Sequence, residues 1–177
     1  MHRIKDKPVK LLIPHEKVQE RIKELAREIE DYFREPFLVV GLLKGAFVFL
    51  ADLIREIQLP VKVDFIWASS YGSSTESSQH VKIVKDLDMD VSGQRILLVD
   101  DILDTGYTLK EIKELLLLKG AKEVKTCVLL DKKERRKIDV EADFVGFDIP
   151  NYFIVGYGLD WDEEGRNLKG VYAVEDA

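Results

Sequence analysis

The sequence is short of cysteine, histidine and proline, and it contains no long apolar run. Its single cysteine, Cys127, excludes an intramolecular disulfide; in an apolar-rich stretch it reads as a buried structural thiol rather than a nucleophile. His2, His15 and His80 share no metal-ligand spacing and read as surface residues. No apolar run approaches the ~20 residues of a membrane span. The opening segment MHRIKDKPVKLLIP lacks the apolar core of a signal peptide. A cytoplasmic setting with no membrane partner is therefore expected. Positive charge is also scarce: 27 Lys and Arg against 33 Asp and Glu give a net charge of −6. That balance excludes broad, salt-sensitive nucleic-acid binding, but leaves room for a local basic pocket that takes a small anion.

What is present is enough apolar material for one sizeable core, 46% of 177 residues, so a single domain spanning 1–177 is expected. Val18, Ile22, Leu25, Ile29 and Phe33 recur at steps of three and four, which predicts a helix over 16–34 that Pro36 stops. FLVVGLL (37–43) reads as a buried strand, and a helix over 45–57 carries Phe49, Leu50, Leu53, Ile54 and Ile57. Val61, Val63, Phe65 and Trp67 alternate as a strand. RILLVDD (95–101) is a further buried strand, followed by a helix over 107–118 and a strand over 124–130. Strand and helix in repetition with short connections predict an α/β fold around a mostly parallel central sheet flanked by helices. Two stretches break the pattern. Residues 69–80, SSYGSSTESSQH, read as a long loop and a candidate mobile lid. Residues from 132 onward mix charge clusters with short β-like runs and read as an appended subdomain on a core of about 16–131.

The chemistry concentrates in ILLVDDILDTGYTL, residues 96–109. An apolar strand delivers Asp100 and Asp101 at its C-terminal end, where ligands bind in open α/β sheets. Asp104, Thr105, Gly106, Tyr107 and Thr108 then open a helix. Helix-start N–H groups, a glycine permitting close approach and two hydroxyls make a nest for phosphate. Acidic groups for sugar hydroxyls or metal thus stand beside donors for phosphate, the two halves of a sugar phosphate. The plainer reading is helix capping, which needs one such residue rather than this set. Neither a Walker loop nor a complete dinucleotide glycine fingerprint is present.

The run VDDILDTGYTL resembles the signature of type I phosphoribosyltransferases that binds 5-phosphoribosyl-1-diphosphate (PRPP). LLKGAF (42–47), SSYG, VKIVKDLDMDVSGQ (81–94), LLDK (129–132) and residues 143–168 resemble the hypoxanthine-guanine branch across nearly the whole chain. The resemblance implies that fold, with a small hood built from the N-terminus and residues of about 132–177, and a homodimer or homotetramer for which the 47–57 helix offers an interface. It implies transfer of phosphoribose from PRPP to hypoxanthine or guanine, giving a purine nucleoside monophosphate and pyrophosphate, with magnesium as cofactor.

Position by position, the resemblance assigns Asp100 and Asp101 to the ribose hydroxyls and Asp104 to the proton on the purine imidazole ring. Thr105, Gly106, Tyr107 and Thr108 fall to the 5′-phosphate. Lys44, Gly45 and Arg166 face pyrophosphate, and Asp160 binds magnesium and belongs to the purine site, with Asp100 and Asp101 as further metal candidates. Lys132 donates to the purine 6-oxygen, Phe153 stacks on the base, Ile154 offers a backbone contact, and Ser70 and Tyr71 form the lid tip. The family usually carries Glu-Asp where this chain has Asp100-Asp101, which implies a water-bridged contact at Asp100. Each assignment has a plainer counterpart: Lys132 on a solvated charge run, Phe153 in core packing, Trp161 as packing, and Lys44 and Arg166 paired with local carboxylates. Competing readings are transfer to another base such as xanthine or adenine, or a non-catalytic nucleotide- or RNA-binding regulator of the same fold. A lysine donor suits a 6-oxo rather than a 6-amino group, and the acidic balance opposes the regulator.

Overall fold

The computed structural model of the chain describes residues 2–71 and 80–175, apart from the side chains of Ser70 and Tyr71. The chain opens with β1 (Arg3–Ile4) and β2 (Lys7–Ile13), followed by α1 (His15–Phe33), β3 (Leu38–Leu43) and α2 (Phe47–Glu56). Next come β4 (Lys62–Tyr71), β5 (His80–Lys85), β6 (Arg95–Leu103), α3 (Tyr107–Leu118) and β7 (Glu123–Asp131). A short 3-10 turn (Lys133–Arg135), β8 (Phe144–Asp148), β9 (Ile154–Val155) and β10 (Val171–Val174) complete it.

Six strands form the central sheet in the order β5-β4-β3-β6-β7-β8, parallel throughout except for antiparallel β5 at one edge. Its inner strands are apolar on both faces because both faces are covered. On β6, Leu97 and Val99 join the core under α1 and α2, with Ile22, Leu25, Phe49 and Leu53. Ile96 and Leu98, one residue out of step, join the opposite core under α3, with Ile112 and Leu116. Burial of each such side chain contributes about 1.5–3 kcal/mol.

The second sheet, β1-β2-β10-β9, is antiparallel and draws its strands from the two chain ends. This is the hood expected from the resemblance, with one correction. Phe144–Asp148, assigned by sequence to the appended unit, pairs in parallel with β7 and forms the edge of the central sheet. Thr126 and Asp143 lock its entry: the Thr126 N–H donates to the Asp143 carboxylate at 2.8 Å, and the Asp143 N–H returns a bond to Thr126 O at 3.1 Å. The expected loop at 69–80 is also shorter than read. Its ends are strand, with Ser70 opposite Val81 and Tyr71 opposite His80, because cross-strand pairing overrides the weak strand propensity of serine. Residues 72–79 of the expected lid, and the side chains of Ser70 and Tyr71 at its tip, lie outside the described residues.

Candidate active site

β3 and β6 are parallel neighbours whose chains run on to opposite sides of the sheet, so the crevice beyond their C-terminal ends is the topological switch point. Their pairing runs from Leu38–Ile96 to Gly41–Val99 and stops there. Beyond it, β3 continues with β4 alone and β6 with β7 alone. Asp100 and Asp101 stand on the freed end of β6, partly buried. Each carboxylate accepts the next backbone N–H, Asp101 N at 2.8 Å and Ile102 N at 2.7 Å, which fixes both side chains locally. Burial, followed by the charge of Asp101, pushes the Asp100 carboxyl well above the ordinary carboxylate range. Asp101 is also raised by burial, with its own hydrogen bonds and the Arg166 charge acting the other way. From β3, the Lys44–Gly45 turn closes over the pair after a cis Leu43–Lys44 peptide. A Cβ at Gly45 would lie 1.9 Å from Asp101 Oδ2, so only glycine permits this approach.

The loop after β6 forms a cavity of about 340 Å³ lined by Asp100, Asp101, Asp104, Thr105, Gly106 and Thr108, with Arg135 among the other lining residues. Gly106 caps α3 at φ 102°, and no side chain caps the helix. The capping explanation for Asp104 and the threonines therefore fails, and the first-turn N–H groups, which lack intrahelical acceptors, remain for an anion. Tyr107 opens α3 but does not line the cavity. Two arginines that the sequence reading passed over meet this loop. Arg135 Nε donates to Asp104 Oδ1 at 3.0 Å, and Arg136 pairs with buried Asp131 while its stem lies against Gly106.

Lys132 follows β7 and its N–H donates to Leu103 O at 2.9 Å, which ties it to the end of β6. It is not on a solvated face: only 7% is exposed. Burial lowers its pKa, opposed by the nearby Asp104 carboxylate. Phe153 is 43% exposed rather than packed in the core, and meets Trp161 edge-on at 5.7 Å. Ile154 buries its side chain and pairs its backbone with Ala173, so a backbone contact is the only kind it offers.

The hood loop carries Asp160 and Arg166. Arg166 donates to Gly158 O at 2.8 Å, pairs with Asp160 at 3.3 Å, and bonds Glu163 Oε1 at 2.9 Å. Lys44 Nζ bonds the other oxygen of Glu163 at 3.0 Å and lies 5.2 Å from the Trp67 ring. Glu163 was not singled out by sequence; the Lys44 and Arg166 bonds hold its carboxyl below the usual range. The partner of Lys44 is thus a carboxylate 119 positions away rather than a local one. Among the described residues no three His, Cys, Asp or Glu side chains cluster to hold a metal by themselves. The acidic groups facing the crevice supply oxygen donors only, in ones and twos. That donor set suits a magnesium ion completed by substrate oxygens and water.

A family model for the phosphoribosyl transferase domain matches residues 10–162. The hypoxanthine-guanine phosphoribosyltransferase of Aquifex aeolicus is 60% identical, covering 99% of this chain and 100% of its own length. Its counterpart from Bacillus subtilis is 47% identical, covering 95% of this chain and 94% of its own. A crystal structure of a hypoxanthine-guanine phosphoribosyltransferase from Bacillus anthracis superposes with a TM-score of 0.90 at 49% identity, over 93% of this chain and 98% of that one. Crevice, carboxylate pair and uncapped helix start thus come together in a chain that belongs to the phosphoribosyltransferase family, among relatives that carry the hypoxanthine-guanine name.

Proposed function

We propose that the protein serves purine salvage by transferring the 5-phosphoribosyl group of PRPP to hypoxanthine or guanine, releasing IMP or GMP and pyrophosphate. The observation that carries this reading is the buried Lys132 beside Asp104 at the phosphate loop. A donor for a 6-oxo group thus stands near an acceptor for an imidazole-ring proton, Asp104, which lines the cavity read as the sugar-phosphate site. The relatives' names support the same base class.

In this reading the α3 first turn, Thr105 and Thr108 hold the 5′-phosphate, and Asp100 and Asp101 orient the ribose hydroxyls. Phe153 lies against the base. Asp104 accepts the imidazole proton as the base attacks the anomeric carbon, and returns it in the reverse direction; Arg135 holds one oxygen of this carboxylate and leaves the other to take the proton. Lys44 and Arg166 hold the departing pyrophosphate and oppose the charge that accumulates on it. Magnesium, held by Asp160 or by Asp100 and Asp101 together with substrate oxygens, would supply further neutralisation of the pyrophosphate. The reading includes assembly as a homodimer or homotetramer through α2, whose Phe47 is 44% exposed, and a cytoplasmic setting in keeping with a buried free Cys127. To test it, the enzyme is incubated with PRPP and magnesium, each base is offered singly, and nucleotide is measured. Hypoxanthine or guanine should be consumed and adenine left untouched; turnover of adenine alone would overturn the assignment.

A further inference from the structure

Lys44 and Arg166 are the two side-chain cations of the pyrophosphate half of the site, and one carboxylate occupies both. Glu163 gives Oε1 to Arg166 at 2.9 Å and Oε2 to Lys44 at 3.0 Å, so both of its oxygens are committed. The backbone that presents it is unusual for glutamate. Trp161 and Glu164 exchange two backbone hydrogen bonds, at 2.8 and 3.0 Å, around a two-residue turn. Its central residues, Asp162 at φ 53° and Glu163 at φ 70°, are both left-handed. Asn-Gly and Asp-Gly are the usual occupants of such a turn, because glycine meets no steric penalty there. Here glutamate takes the glycine position, and the Glu163 N–H is pinned to Asp160 Oδ2 at 2.8 Å. An exposed turn that needed only to reverse the chain would gain from glycine. This one instead sets an anion between a near neighbour, Arg166, and a cation from a distant part of the chain, Lys44.

We infer that Glu163 is a built-in competitor for the pyrophosphate group: its carboxylate holds Lys44 and Arg166 in the empty enzyme, yields them when PRPP docks, and reclaims them as pyrophosphate leaves. This rests on the reading that Lys44 and Arg166 bind pyrophosphate. The carboxylate mimics one anionic group of the ligand, so it keeps two cations 119 and 3 positions away in sequence converged on one point. The same contact lowers affinity for pyrophosphate and speeds its release. Glu163 is thus an affinity-setting residue of the site rather than a catalytic one.

The test measures binding of pyrophosphate with magnesium to the full-length enzyme by calorimetry, together with kcat and KM for PRPP. Glu163→Gln should bind pyrophosphate about three- to tenfold more tightly, the scale of two partly exposed ion pairs, and should lower KM for PRPP by a similar factor. Pyrophosphate release should slow to match, since affinity changes within one site fall mainly on the off-rate. Glu163→Gly, which suits the left-handed turn, should tighten binding in the same direction and decides the matter if the glutamine variant folds poorly. Glu164→Gln makes the same charge change one residue away, without contact to either cation, and should leave binding at the wild-type level. Unchanged or weakened binding in both Glu163 variants, while Lys44→Gln and Arg166→Gln weaken it, would overturn the role of Glu163 alone. If Lys44→Gln and Arg166→Gln bind pyrophosphate like wild type, the pyrophosphate assignment falls, and this inference with it.

Discussion

Adjacent carboxylates at the end of a buried strand repel each other, and burial removes the water that would screen them. Asp100 therefore holds its proton to a higher pH in the folded chain than in the unfolded one. Between the ordinary carboxylate value of about 4 and that raised value, the native state binds more protons, so folding stability falls as pH rises through this window. Asp100→Asn should accordingly raise Tm at neutral pH, on the order of a few degrees, with the gain fading as pH is lowered toward about 4. Phosphoribosyl transfer should drop in the same variant, a trade of stability for ribose binding. Thermal melts across pH, run beside the base assay, check both. Asp104→Asn should retain PRPP binding, measured by calorimetry, and lose about 10²- to 10⁴-fold in kcat; unchanged turnover would remove Asp104 from proton transfer. At this scale the sequence was readable where function sits in one segment, as in residues 100–108. It was not readable for Arg135 on Asp104 or Glu163 on Lys44, because those partners meet only through the fold.

Elements were legible wherever periodicity was strong. The helix expected over 107–118 is α3 residue for residue, and the strand expected over 124–130 gains one residue at each end in β7. β5 is hard to read because its run is short, lies beside the serine-rich stretch, and breaks alternation at the adjacent Ile83 and Val84. Phe144–Asp148 was placed in the wrong sheet because a short strand does not carry the identity of its partner. Connections are harder to read than elements, and the Lys44–Gly45 turn shows why they matter. Gly45→Ala would force a methyl group into the Asp101 carboxylate, which its bond to Ile102 N prevents from swinging clear. We expect about 10²-fold loss in kcat/KM for PRPP, the scale of a 1 Å misplacement, with a modest change in Tm. Steady-state kinetics with a thermal melt separate the two effects.

At the scale of the molecule, the hood meets the core through a buried polar contact. Tyr157, 2% exposed, donates its hydroxyl to Asp52 of α2, and Gln19 of α1 donates to the same Asp52 oxygen at 3.1 Å. Burial and the Asp52 contact keep the phenol protonated far above its ordinary range. The next residue, Gly158, packs on Gly45 O and receives Arg166, so the same anchor sets the height of the loop that carries Arg166. Tyr157→Phe should cost about 1–2 kcal/mol by chemical denaturation and raise KM for PRPP more than it lowers kcat. An equal fall in stability with unchanged KM would make the contact merely structural.

The parting of β3 from β6 has a further consequence. In register, the next partners would be Leu42 with Asp100 and Leu43 with Asp101, and those pairs do not form. The crevice is therefore bounded by two internal sheet margins that could in principle zip together or capture a stray strand. Negative charge facing inward from one margin is a known defence against such pairing. Asp100 and Asp101, which follow the last paired residue of β6, thus also disfavour closure of the seam of the sheet.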